Sequence, residues 1–132
     1  MENLLRQKGT PAKYREKYLV VGKHLLRWKL QEATGAYRLS NKSLLHEGRA
    51  LMWLRSSEGI SAVLTELFNG GYRLRCDCWG ADSNFTFQAR FIWGRVPLFR
   101  QVYKGEPAST VGDAILLAAY QTLLIPIPPQ GY

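Results

Sequence analysis

Residues 72–93 constrain the fold most. Tyr72-Arg-Leu-Arg-Cys-Asp-Cys-Trp79 alternates with period two, and Phe85-Thr-Phe-Gln-Ala-Arg-Phe-Ile-Trp93 does so again. Between them lies Gly80-Ala-Asp-Ser-Asn84, a run of turn formers. Successive side chains of a strand point to opposite faces. Two alternating runs around a short polar turn therefore read as an antiparallel hairpin. On this reading Tyr72, Leu74, Cys76 and Cys78 point inward with Phe85, Phe87, Ala89, Phe91 and Trp93. Arg73, Arg75 and Asp77 point outward, and Arg90 and Arg100 join the same outward face. A third strand is expected within Val96–Tyr103, kept to an edge by Pro97.

Helical signals flank this hairpin. Ser56-Ser57 offers an N-cap, and Ile60, Val63, Leu64, Leu67 and Phe68 follow at helical spacing. Gly70-Gly71 closes that helix. Thr110-Val-Gly-Asp113 has the spacing of a capped start. The helix it opens, Val111–Leu124, is apolar on most of its circumference and ends at Pro126. A helix so apolar must be covered on more than one side. The N-terminal region packed on it would serve, and so would a second copy, giving a homo-oligomer through Val111–Leu124.

The N-terminal half reads differently. Thr10-Pro11 is a helix start. Tyr14, Tyr18, Val21, Leu25 and Trp28 recur at three and four, which predicts a helix from Ala12 to about Glu32, roughly 30 Å long. Gly22 weakens its middle, and Tyr18–Val21 also reads as a short strand. Ala33–Asn41 is a turn region. Leu44–Leu54 reads as a second helix or an extended segment. The expected whole is α+β: a two- to three-stranded antiparallel sheet flanked by helices, with a basic, mainly helical region over residues 1–55. The α-β-β-(β)-α core spans 56–132, and the two together form one compact domain.

Charge is uneven along the chain. Residues 1–50 hold eleven Lys/Arg against four Asp/Glu, and residues 51–132 hold seven against six. Nearly all of the net +8 thus belongs to the first half. Such asymmetry points to a polyanionic partner, either nucleic acid or an anionic protein surface. The expected contacts are Lys13, Arg15, Lys17, Lys23, Arg27 and Lys29, with Arg73, Arg75 and Arg90 on the hairpin. Tyr14, Tyr18 and Trp28, set among the cations, are candidate stacking platforms or ordinary core residues.

Other chemistry finds little support. Two His and two Cys match a zinc site in number. Cys76 and Cys78, however, lie on a strand about 7 Å apart, unlike the tight turn that zinc sites use. Val21-Gly-Lys-His lacks the glycine loop of a phosphate site. The acids Glu58, Glu66, Asp77, Asp82, Glu106 and Asp113 are scattered, with no paired carboxylates or triad. No catalytic residue, metal or cofactor is expected. Neither a signal peptide nor a run of 18 apolar residues is visible, so a cytoplasmic protein without a membrane span is expected.

Two families show a resemblance over about half the chain. Gly59-Ile-Ser-Ala-Val-Leu-Thr-Glu-Leu-Phe-Asn-Gly-Gly71 and Asp113-Ala-Ile-Leu-Leu-Ala-Ala119 resemble elements of the small phage and prophage ABA-sandwich domains. That resemblance implies a mobile-element setting, the host cytoplasm, and an inhibitor that binds a host nucleic-acid-handling or defence complex, as anti-CRISPR proteins do. The helix-strand-strand-strand-helix order is also similar to the double-stranded-RNA-binding domain. The second helix of that domain opens on a lysine cluster. Here it opens on Ser109-Thr-Val-Gly-Asp113, so no phosphate contact of that family is carried over.

Overall fold

The computed structural model describes residues 10–94 and 100–124. The protein is α+β, in two compact units, Met1–Glu66 and Leu67–Tyr132. The division falls inside the helix Ser57–Asn69, later in the chain than the expected region boundary at 55.

The first unit begins with α1 (Ala12–Val20), which buries Tyr14 and Tyr18 as a stacked pair 5.6 Å apart. The expected long helix ends here. A single π-helical turn, Val21–Leu25, follows, and Arg27 then takes φ +61. The physical cause is Trp28, which folds back over Gly22. A Cβ at Gly22 would lie 2.4 Å from Trp28 Cε3, and the Trp28 N–H donates to the Gly22 carbonyl at 2.9 Å. The chain then enters β1 (Lys29–Gln31), β2 (Ala36–Arg38) and β3 (Leu44–Leu45), an antiparallel sheet in the order β1-β2-β3. This sheet replaces the end of the predicted helix and the predicted turn region.

Leu44–Leu54 divides between β3 and α2 (Glu47–Arg55). Trp28 packs against Tyr37 and Trp53 at ring distances of 5.9 and 6.3 Å. Tyr14, Tyr18 and Trp28 are buried, so these aromatics hold the core together and present no face to a ligand.

Helix α3 (Ser57–Asn69) starts where Ser56 Oγ accepts the Gly59 N–H at 3.3 Å. It ends where the Gly70 and Gly71 N–H groups donate to Leu67 and Phe68. The hairpin then forms as the alternation predicts: β4 (Tyr72–Ala81) and β5 (Asn84–Trp93) pair antiparallel around Asp82-Ser83. Asp82 takes φ +58, a left-handed conformation that Asp tolerates. The third strand is β6 (Gln101–Lys104), on the other side of β5. The expected Pro97 edge position lies outside the described residues.

Helix α4 (Val111–Leu124) is capped as expected. Thr110 Oγ1 accepts the Asp113 N–H at 3.1 Å and donates to Asp113 Oδ2 at 3.0 Å. It packs on β5 and β6. Gly105 permits the close approach: a Cβ there would lie 2.4 Å from the Ala118 nitrogen. Every residue from Asp113 to Ala119 is buried within the single chain. The middle of Val111–Leu124 is therefore covered without a second copy, while Val111 and Leu124 at its ends stay exposed. Among the described residues no helix is long and apolar enough to cross a membrane.

Candidate nucleic-acid interface

Strand register assigns the faces of the β4-β5-β6 sheet. Tyr72, Leu74, Cys76 and Cys78 stand opposite Trp93, Phe91, Ala89 and Phe87. Phe91 is followed across β6 by Tyr103. This is the face on which Ala89, Phe91, Tyr72 and Tyr103 are buried. Burial pushes the Tyr72 phenol up to about 12, with the neighbouring Tyr103 adding to the shift.

Cys76 and Cys78 do not join this core. Both are exposed free thiols. Strand β4 is an edge strand, and α4 packs on the other two strands. Partial burial and then the adjacent Asp77 carboxylate hold the Cys76 thiol above its ordinary range, which disfavours the reactive thiolate. Among the described residues no three of His, Cys, Asp and Glu come together to hold a metal ion.

The opposite face collects cations. Arg75 pairs with Arg90, and Arg90 pairs with Lys104, so one rung crosses all three strands with a positive charge on each. The next rung is Arg73, Ile92 and Val102. Towards the hairpin turn come Asp77 opposite Gln88, then Trp79 opposite Thr86. Arg73, Arg75, Lys104 and Trp79 are exposed. Trp79 leaves 47% of its surface to solvent. Arg100 lies immediately before β6 and is also exposed.

Asp77 bridges two of these cations. Arg90 Nη2 donates to Asp77 Oδ2 at 3.1 Å, and Arg75 Nε lies 3.8 Å from Asp77 Oδ1. Arg90 is the least exposed of these cations, and its Nε is buried without a hydrogen-bond partner among the described residues. Like charges placed directly opposite each other on a sheet are destabilising, by roughly 0.2–1 kcal/mol for each pair. Asp77 offsets part of this on one side of the rung, and Lys104 stands on the other.

The N-terminal cations stand on three elements instead of one long helix. Lys13, Arg15 and Lys17 are on α1, Lys23 is in the π-helical turn, Arg27 is at the left-handed residue and Lys29 is on β1. Arg15 Nε is 2.7 Å from Glu47 Oε2. Lys13 and Lys23 sit over the rings of Tyr14 and Tyr37, at 4.9 and 5.7 Å. Lys29 stands opposite Arg38 in the β1-β2 register.

Of the residues singled out from sequence, the structure thus brings Arg73, Arg75 and Arg90 onto one face. Sequence reading missed Lys104, Arg38 and Trp79. The signal for Trp79 was the next step of the same alternation, one outward position beyond Asp77. The position of Lys104 depends on how β6 registers with β5, which no local pattern reveals. Comparison of the chain with protein-family models, with curated proteins and with solved structures finds no match.

Proposed function

We propose that this protein binds nucleic acid, without catalysing a reaction, through the open face of the β4-β5-β6 sheet. The observation that carries the reading is the rung Arg75–Arg90–Lys104, flanked by Arg73. A sheet gains nothing in stability from three like charges in a row. Local rules of this kind are broken where a surface is used. Arg and Lys supply charge to phosphate oxygens, and they do so from a face whose cations are mostly solvent-exposed. The cations of α1 and β1 add to the long-range positive field and speed encounter.

Binding of labelled single-stranded and duplex oligonucleotides, followed by anisotropy across a salt series, tests this. A steep fall in affinity with salt is expected, because each neutralised phosphate releases counterions. In the triple variant R73E/R75E/K104E the affinity is expected to fall roughly a thousandfold or more. Absence of binding to every nucleic acid at low salt, or full binding by the folded triple variant, overturns the reading.

A further inference from the structure

Resting on that reading, we infer that the bound nucleic acid is single-stranded, with an unpaired base stacked on the indole of Trp79. Three features of the same face lead there. The first is the extent of the charge. The rung spans two inter-strand spacings, about 10 Å, and Arg73 lies about 7 Å further along β4. That is a compact patch for a few consecutive phosphates of one backbone.

The second is the place of Trp79. It stands on the same face as Arg75, four residues along β4, about 13 Å away. Its cross-strand neighbour is Thr86 and the residue two before it is Asp77, so small and polar groups flank the ring. Nearly half its surface is open. In a duplex the flat faces of the bases are covered by their neighbours and only the edges reach the grooves. In a single strand those faces are free, and stacking on an aromatic side chain combines with a charged track for the backbone.

The third is Asp77. It lies between the cations and the indole, where a bare carboxylate would repel the backbone. Its charge is taken up by Arg90 at 3.1 Å and Arg75 at 3.8 Å. The stretch from rung to ring is therefore passable for a phosphate chain. Charge and a π-face read neither sequence nor sugar, so ribo- and deoxy-oligomers bind alike.

The test uses the full chain with oligo(dT), oligo(U), an abasic phosphodiester oligomer and a duplex, each of about 15 nucleotides or base pairs. Oligo(dT) and oligo(U) are expected to bind within a few-fold of each other, and about tenfold or more tighter than the duplex or the abasic chain. W79A weakens oligo(dT) binding by roughly five- to 150-fold, whereas W79F keeps most of it. Indole fluorescence is quenched on binding in the native chain and not in W79F, although Trp28, Trp53 and Trp93 remain. Far-UV circular dichroism and the thermal midpoint confirm that both variants fold. Duplex or abasic chain binding as tightly as oligo(dT), or W79A binding unchanged, overturns the single-strand inference while nucleic-acid binding stands. If no nucleic acid of any form binds, both fall, and a protein partner takes their place.

Discussion

The two units handle positive charge in opposite ways. The first is rich in it, and its cations stand on a helix, a turn and a strand. Arg15 is matched by Glu47, and Lys13 and Lys23 are laid over tyrosine rings. The second holds only six Lys/Arg against four Asp/Glu, yet register lines up Arg75, Arg90 and Lys104 across one sheet. Net charge is a sum over a segment, and a binding face is an arrangement within it. The lesson is that charge density along a chain is a poor guide to charge density on a surface.

The sharpest way to break this comparison is to reverse three charges in each unit. R73E/R75E/K104E is expected to cost roughly a thousandfold or more in affinity, because three favourable contacts become three repulsions. The log–log salt slope should fall by about two for a single strand. K13E/K23E/K29E is expected to cost no more than about tenfold, through the long-range field alone. Equal losses in the two variants would return the site to the basic half.

Next in size is the contact that holds the sheet to its helix. G105A drives a Cβ against the backbone of Ala118. Overpacking that the backbone must absorb costs about 3 kcal/mol, measurable by urea unfolding. G22A makes the corresponding test in the first unit, where the obstacle is the buried Trp28 ring. A neutral G22A would mean that something other than the Gly22–Trp28 contact ends the first helix.

Smaller again is an alkaline transition. The Tyr72 phenol titrates at about 12 in the folded chain against an ordinary value of 10.0. The folded state thus holds its proton more tightly than the unfolded state. The stabilisation is complete below pH 10 and is lost as pH rises towards 12. Y72F should flatten that loss. Stability that falls identically in Y72F would assign the transition to other groups.

The smallest effect sharpens the role of Asp77. D77N removes the carboxylate that faces Arg75 and Arg90. Stability is expected to drop by about 1 kcal/mol or less, while affinity for nucleic acid rises a few-fold. Weaker binding by D77N would instead make Asp77 a group that orients Arg90 for the ligand.

Much of the second unit was legible because its signals are local. Period two placed Arg73, Arg75 and Arg90 on one face, and the Thr110 cap marked the start of α4, as the Ser56 cap did for α3 in the first unit. The first unit misled because Tyr14, Tyr18, Val21, Leu25 and Trp28 have helical spacing to the end. The break depends on Trp28 turning back over Gly22, a contact six residues apart that periodicity does not encode. The Cys76 and Cys78 positions were read for the right face, but their exposure follows from where α4 lies.

The amino-acid sequence by itself determined the hairpin, its flanking helices and the alternation of Arg and apolar side chains, since these follow from neighbours a few residues apart. Tertiary structure alone decided that β6 brings Lys104 beside Arg90. It also decided that α4 covers one face of the sheet and leaves the cationic face open. Both depend on contacts between distant segments, whose register and packing are set by shape and burial rather than by any repeat in the chain.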